Sequence, residues 1–147
     1  MAKYVTDEIT KLIGTETEPV TWDVERGAIR RFAEALGDSN PLYTDEKAAR
    51  HSRFGGIIAP PTFYRSLPAA RRISIPNLPS RGLDGGSEWE FFVPLRPGDR
   101  ITVTTRLVEV REAEGRLGTM VFTTNETRYV NQLGELCATQ RTTGIFY

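Results

Sequence analysis

The chain has 147 residues, with 19 basic and 19 acidic side chains and therefore no net charge at pH 7. This balance argues against a general nucleic-acid or membrane-surface binder, because such proteins carry an excess of basic residues. The single cysteine, Cys137, excludes an internal disulfide, and the single histidine, His51, leaves too few ligands for an ordinary zinc site. No apolar run at the N-terminus or later has the length of a signal or membrane-spanning segment, so we expect one cytoplasmic domain over residues 1–147.

The first part of the chain predicts a short strand and an amphipathic helix. Residues 1–14 favour a short amphipathic turn, and residues 19–22 favour a strand. Asp23 is the predicted N-cap of the helix, and Gly37 is its predicted C-terminal stop. Between them, apolar residues recur at the i, i+3, i+4 and i+7 spacing of one helical face, at Ile29, Phe32, Ala33 and Leu36.

Two further helices are predicted in the middle of the chain. Thr44 is expected to cap a short helix over residues 45–51, with His51 at its C-terminal end. Pro61 suits the first turn of another helix, which Pro68 would end. The following residues, 68–86, are rich in proline and glycine and predict an irregular segment.

From residue 87 onward the pattern is that of β-strands. Residues 87–93 predict one strand with three aromatic side chains in the core, Trp89, Phe91 and Phe92. Three longer strands follow as a meander with turns near Gly115 and Gly134, and the alternation slips between Leu107 and Val108, which predicts a bulge. Helices followed by antiparallel strands indicate an α+β fold in which the helices cover one face of the sheet.

A doubly constrained turn follows the predicted amphipathic helix. Gly37 permits a left-handed backbone, and Pro41 pushes Asn40 toward an extended conformation. Asp38 and Asn40 lie on either side of one residue in this turn. Aspartate and asparagine in such turns often bond to their own backbone, so the pattern is explained by a capped helix end. The alternative is that the turn holds a carboxylate toward a ligand.

Three sequence segments resemble MaoC-like hydratases and dehydratases, most of all the branch of N-terminal, fungal-synthase-like dehydratases. They are GDSNPL at 37–42, GIIAPPTF at 56–63 and WEFFVPLRPGD at 89–99. The resemblance covers roughly residues 13–147. It implies a hot dog fold, in which an antiparallel sheet wraps around a central helix, here the one beginning near Pro61, and it implies pairing into a dimer.

The resemblance also implies a reaction and a site. The reaction is (R)-specific hydration of 2-enoyl thioesters, or the reverse dehydration, on coenzyme A or an acyl carrier protein, with no other cofactor. In the family, the acid of this turn and a histidine five residues later flank the reacting water, and a backbone amide polarises the thioester carbonyl. The implied catalytic positions are Asp38, Asn40 and Tyr43. The implied substrate-binding positions are Gly56, Ala59, Pro60, Pro61 and Thr62.

Two positions depart from the family's pattern. Tyr43 stands where the family has its histidine, and a phenol with a pKa of about 10 is a poor general base at pH 7. The family's His-Gly pair aligns with residues 59–60, and Pro60 has no N–H to donate, which leaves Thr62 or Gly56 as substitutes. The same combination resembles one subunit of heteromeric hydratases, in which a partner chain brings the histidine.

Three functions therefore remain open. The chain is an enzyme acting as a homodimer or with a second MaoC-like chain, or a non-catalytic acyl-thioester-binding subunit of an active partner, or a hot dog acyl-CoA thioesterase. Neither a nucleic acid nor a membrane is an expected partner. Arginines of the irregular segment are candidates for binding coenzyme A phosphates, because a guanidinium group bonds phosphate oxygens in pairs: Arg71, Arg72 and Arg81.

Overall fold

The computed structural model describes residues 3–147, in which five strands form one antiparallel sheet. The order of strands across the sheet is β1-β3-β4-β5-β2. The three longest strands are consecutive in the chain and adjacent in the sheet, so the predicted meander is confirmed. The strands are β1 Val20–Asp23, β2 Gly82–Phe91, β3 Arg100–Gly115, β4 Gly118–Val130 and β5 Leu136–Phe146.

The helical segments all precede β2. They are α1 Asp7–Thr10, α2 Arg26–Leu36, α3 Glu46–Arg50 and two 3-10 helices, Pro41–Tyr43 and Pro61–Ser66. The predicted N-terminal turn corresponds to α1, although the first two residues of its range lie outside the described residues. No helix within residues 3–147 has the length and apolar character needed to cross a bilayer.

α2 buries part of the face that its apolar spacing predicts and ends where the sequence indicates: Phe32 is half-buried, and Leu36, at the last position, is exposed. Ile29 and Ala33 are fully buried. Gly37 has φ +68°, and its N–H donates to the carbonyl of Glu34 at 3.0 Å. The N–H of Asp38 donates to the carbonyl of Ala33 at 2.9 Å. These two bonds form a Schellman motif, which satisfies two of the last carbonyls of the helix. The motif fixes Asp38 directly beyond the end of α2.

Two predicted N-caps are wrong by one or two positions. Asp23 pairs with Arg100 as the last residue of β1, so it stays extended and Glu25 becomes the N-cap of α2. Thr44 closes the preceding 3-10 turn, and the cap of α3 is Asp45, whose Oδ1 accepts a backbone N–H of the first helical turn at 3.1 Å. In both places the predicted cap residue belongs to the element before the helix: Asp23 to β1 and Thr44 to the end of the first 3-10 helix.

The segment that begins at Pro61 lies under the sheet, as predicted, but it is a 3-10 helix rather than an α-helix. Phe63 and Tyr64 are each 3% exposed and pack in one core cluster with Ile101 of β3. The segment ends at Ser66 because the residue before Pro68 is kept out of the helical region.

The aromatic residues predicted to fill the core from β2 are only partly buried. Trp89 stacks on Tyr129 with ring centroids 5.7 Å apart, whereas Phe91 and Phe92 are 50% and 53% exposed. β2 pairs with β5 along one side, and no strand within residues 3–147 pairs with its other side. The core prediction is therefore wrong for Phe91, which ends this edge strand, and for Phe92, which follows the strand.

The predicted bulge in β3 is confirmed. The register between β3 and β4 shifts between Leu107 and Glu109. The extra residue lets Leu107 and Val110 both face the core. A second bulge, between Asp84 and Ser87, interrupts the pairing of β2 with β5 at a neighbouring level of the sheet.

One carboxylate ties the N-terminal segment to β3. Glu112 accepts the backbone N–H groups of Lys3, Tyr4 and Val5 at 2.8 to 3.0 Å. These bonds hold the pKa of Glu112 below its usual value of 4.5. A group with a lowered folded-state pKa contributes stability above its unfolded-state pKa and loses it as the pH falls through the folded-state value. The attachment should therefore weaken in acid.

We expect hydrogen-exchange protection of the Tyr4 and Val5 amides to fall as the pH drops below 4.5, after correction for intrinsic exchange. Glu112→Gln should lower this protection already at pH 7, because a neutral amide accepts hydrogen bonds more weakly than a carboxylate. Glu90→Gln, which changes an exposed glutamate on β2, is the matched control. Equal protection in wild type and Glu112→Gln would contradict this account.

Candidate functional site

The turn after α2 is shaped by bonds from its own side chains. Oδ1 of Asp38 accepts the N–H of Asn40 at 3.0 Å, and Oδ1 of Asn40 accepts the N–H of Leu42 at 3.1 Å. The turn thus has the self-bonded structure that its sequence predicts. Each bond uses only one atom of its side chain, so the second carboxylate oxygen of Asp38 can accept a further bond, and the amide nitrogen of Asn40 can donate to the neighbouring Tyr43 and to one other group.

Tyr43 lies beside these two side chains. It is 8% exposed, and burial is the main factor that raises its pKa. The negative charge of Asp38 raises the pKa of Tyr43 further, while hydrogen bonding by the Asn40 side chain opposes the rise. The phenol is therefore neutral at physiological pH and serves as a hydrogen-bond donor rather than a base. The structure brings the three predicted catalytic positions together.

The segment that leads into the second 3-10 helix is joined to this turn. The N–H of Ile58 donates to the carbonyl of Leu42 at 3.2 Å. Phe63 packs edge to face against Phe32 of α2, with ring centroids 5.4 Å apart. These contacts hold the segment, which contains four of the predicted substrate-binding positions, against the α2 turn.

Most backbone donors of that segment are already used or missing. The N–H of Ala59 donates to the carbonyl of Leu95 at 2.8 Å, and Pro60 and Pro61 have no N–H. No backbone carbonyl of the described chain accepts the N–H of Thr62. Thr62 is therefore the residue of this stretch that can donate a backbone hydrogen bond to a substrate carbonyl.

The other predicted substrate-binding positions lie elsewhere. Gly56 lines a cavity of about 280 Å³ that does not include Asp38. Arg71, Arg72 and Arg81 are exposed between the second 3-10 helix and β2, and they line neither this cavity nor a larger one. Their predicted contact with phosphate stays a prediction.

The larger cavity, about 650 Å³, lies on the opposite face of the sheet from the core. Its position follows from Thr124, which lines it and alternates along β4 with the buried Thr123. Asp38 lines neither cavity and is exposed in the single chain. From the family resemblance we expect Asp38 and Asn40 to line a tunnel that ends at a cleft between two chains, and this stays a prediction. The residues around the larger cavity are Gly85, Gly86, Ser87, Glu88, Val108, Glu109, Thr124, Arg141 and Thr143.

The remaining titratable candidates have structural roles. His51 is exposed at the end of α3, and its Nδ1 donates to the carbonyl of Lys47 at 2.7 Å, so it satisfies the helix terminus. Burial raises the pKa of the Cys137 thiol to about 11, which makes it unreactive. Residues 3–147 contain no group of three or more His, Cys, Asp or Glu side chains that could hold a metal ion.

Comparison with other sequences identifies related proteins. Residues 11–140 match the family described as the FAS1-like dehydratase domain region. A UPF0336 protein of Streptomyces avermitilis is 37% identical over 105 residues, which cover 67% of this chain and 69% of the relative. A probable enoyl-CoA hydratase alpha subunit of Thermomonospora curvata is 33% identical over 132 residues, which cover 77% of this chain. That match spans only 41% of the relative's own length.

Solved structures share the fold. The MaoC-like dehydratase from Rhodospirillum rubrum is 26% identical, with a TM-score of 0.74 and 92% of each chain covered. One chain of the ChsH1-ChsH2 complex from Mycobacterium tuberculosis has a TM-score of 0.79 at 21% identity, with 95% of this chain and 88% of that chain covered. The α+β hot dog fold with an antiparallel sheet is thereby confirmed.

Proposed function

Since the chain belongs to the FAS1-like dehydratase region family and shares the fold of MaoC-like dehydratases, we propose that it is one subunit of an (R)-specific 2-enoyl-thioester hydratase or 3-hydroxyacyl-thioester dehydratase. Its substrates are thioesters of coenzyme A or an acyl carrier protein. The observation that carries this proposal is the cluster at the end of α2, where a carboxylate, an amide and a neutral phenol meet.

This cluster has the groups needed to hold a water molecule for addition. The free oxygen of Asp38 accepts a proton from the water, and the amide of Asn40 and the phenol of Tyr43 donate hydrogen bonds to the water oxygen. The hydroxyl adds to carbon 3 of the enoyl thioester, and carbon 2 takes up a proton. The N–H of Thr62 donates to the thioester carbonyl oxygen as negative charge develops there. Dehydration follows the same steps in reverse.

Within residues 3–147, neither Tyr43 nor His51 suits the second acid–base role, the handling of the proton at carbon 2. Tyr43 stays protonated, and His51 is bound to its own helix end. We therefore assign that group to a histidine of a second MaoC-like chain. The relatives support a heteromer, since one is called an alpha subunit and one structural neighbour is a complex of two named chains.

The free edge of β2 suits the partner's position. Its backbone groups on that side have no strand to pair with in the described chain, and Phe91 is half exposed at the end of the strand. An unpaired strand with exposed apolar side chains favours pairing with another sheet. We propose that the partner pairs there and that a cleft containing Asp38 forms between the two chains.

With crotonyl-CoA as substrate, we expect the purified chain alone to hydrate slowly. A MaoC-like partner that carries a histidine at the position equivalent to Tyr43 should raise the rate by about 10²–10⁴-fold, the usual contribution of a positioned acid–base group. Loss of the enoyl-thioester absorbance measures hydration, and release of free thiol measures the alternative thioesterase activity. Rapid hydration by the chain alone would contradict the need for a partner.

A second candidate is a subunit that binds acyl thioester without taking part in the chemistry. The neutral phenol at position 43 favours it, because this chain then supplies only one group able to move a proton. The two candidates differ in the role of Asp38. In the catalytic subunit its charge is required in the assembled enzyme, and in the binding subunit it is not.

A further inference from the structure

A positively charged pocket lies apart from the Asp38 turn. The cavity of about 280 Å³ opens between the start of α2, α3, the loop at 55–57 and the turn at 96–97. One glutamate, Glu46, lines it together with three arginines that come from separate parts of the chain, Arg26, Arg50 and Arg96. The pocket therefore has an excess of two positive charges.

Two of the arginines are oriented by the same carboxylate. Arg26 Nη1 lies 3.1 Å from one oxygen of Glu46, and Arg50 Nη2 lies 3.4 Å from the other. A guanidinium group has five N–H donors, so one contact to Glu46 leaves most donors of each arginine free. Glu46 holds the two side chains at the pocket without using up their hydrogen-bonding capacity.

The third arginine has no charged partner. No ion pair of residues 3–147 includes Arg96. Its side chain lies against the backbone of Gly56, where a Cβ built on the glycine would be 3.8 Å from Arg96 Nη1. The backbone N–H of Arg96 donates at 2.8 Å to the nearly buried carboxylate of Asp99. This bond fixes the turn that carries Arg96.

The start of α2 adds to the positive potential. Arg26 is the first residue of the helix and its first turn has no acidic residue, while the N-cap residue, Glu25, makes no side-chain cap bond to the helix in the described chain. The free N–H groups of a helix start act as a partial positive charge. With three arginines around the same opening, the pocket suits a group that has several negatively charged oxygens.

We propose that this pocket binds a phosphate group of the acyl carrier, either of coenzyme A or of the phosphopantetheine arm of a carrier protein. The proposal rests on the thioester function proposed above. The cavity is close to the lower end of the ~300–1,000 Å³ range of ligand sites, which fits a phosphate better than a whole carrier. The 11 residues of α2 place its two ends about 16 Å apart. An extended pantetheine arm joins a thioester to its phosphate over a comparable span.

Calorimetric titration of the chain with inorganic phosphate, 4′-phosphopantetheine, coenzyme A, dephospho-coenzyme A and pantetheine tests the proposal. We expect the phosphorylated compounds to bind at least about tenfold more tightly than pantetheine, because a hydrogen bond between charged groups contributes about that factor. Equal binding of 4′-phosphopantetheine and coenzyme A would assign the pocket to the phosphate that both carriers share. Tighter binding of coenzyme A than of its dephospho form would assign it to the 3′-phosphate, which carrier proteins lack.

Arg96→Gln should weaken binding of coenzyme A about tenfold, and Arg50→Gln should also weaken it. Arg116→Gln, at the exposed turn between β3 and β4, removes the same charge and should leave binding unchanged. Thermal unfolding of each variant separates lost binding from lost folding, and Arg96→Lys should retain part of the affinity if Arg96→Gln unfolds. Unchanged affinity in both glutamine variants, when folded, would overturn the proposal.

The readout is binding, so it does not depend on turnover. If the chain binds coenzyme A through Arg96 but hydrates no enoyl thioester with any partner, the phosphate pocket is supported and the proposed function is contradicted. If the enzyme is active and Arg96→Gln changes neither its KM nor its affinity for coenzyme A, the proposed function is supported and the phosphate pocket is contradicted.

Discussion

Asp38→Asn is expected to lower turnover of the assembled enzyme by about 10²–10⁴-fold. An asparagine at this position keeps an Oδ1 that can accept the N–H of Asn40, so the turn should retain its shape. The amide that replaces the carboxylate cannot take a proton from water. The change therefore removes the chemistry of the side chain and leaves its structural bond. We expect kcat to fall, with KM for crotonyl-CoA changing much less.

The control for this experiment is Asp23→Asn, which changes an exposed aspartate at the end of β1 that pairs with Arg100. It should leave kcat and KM unchanged. Full turnover by Asp38→Asn in the presence of the partner would remove Asp38 from the mechanism and leave the chain as a binding subunit. Circular dichroism and thermal unfolding should be the same for both variants and wild type.

The double variant Tyr43→His/Pro60→Gly is expected to hydrate crotonyl-CoA without a partner, about 10²–10³-fold faster than Tyr43→His alone. The first substitution supplies an imidazole beside Asp38. The second restores a backbone N–H next to Ala59, whose own N–H already donates to Leu95. Tyr43→His alone has only the N–H of Thr62 to donate to the thioester carbonyl, so it should remain the slower of the two.

Tyr43→His/Pro76→Gly is the matched control, because Pro76 is an exposed proline in the segment before β2. It should behave as Tyr43→His does. If Tyr43→His alone reaches the rate of the double variant, the amide of residue 60 has no part in the reaction and Thr62 suffices as the donor. The readout is again the loss of enoyl-thioester absorbance.

The Asp38 turn could be predicted from the sequence because the interactions that form it are local. A glycine in a left-handed conformation, an aspartate and an asparagine bonding two residues ahead, and a proline after them act within the range 37–42. The shift of register in β3 could also be predicted from the sequence, because it too is a local feature. One extra residue changes the alternation of its own strand.

Features that depend on the neighbours of a strand could not be predicted in this way. The apolar pattern of β2 suits a central strand as well as an edge strand, and only the order of strands leaves Phe91 half exposed. Similarly, the proline at 61 favours a helix start, but the length of that helix is limited by Pro68 and by the close packing of Tyr64.

The arginine pocket had no signal in the sequence at all. Arg26, Arg50 and Arg96 come from α2, α3 and the turn before β3, and tertiary folding alone brings them to one cavity. The adjacent pair Arg71 and Arg72 is conspicuous in the sequence, yet both side chains are exposed outside the two cavities. Proximity in the chain is a poor guide to where charges converge.

The unpaired edge of β2 also bears on how the protein is produced. A ten-residue strand with an open backbone edge and exposed Leu83 and Phe91 is a template for pairing with any extended chain. Copies synthesised in excess of the proposed partner would then be exposed to aggregation and to proteolysis until they assemble. Matched expression of the two chains would protect this subunit, and its abundance in the cell would follow that of its partner.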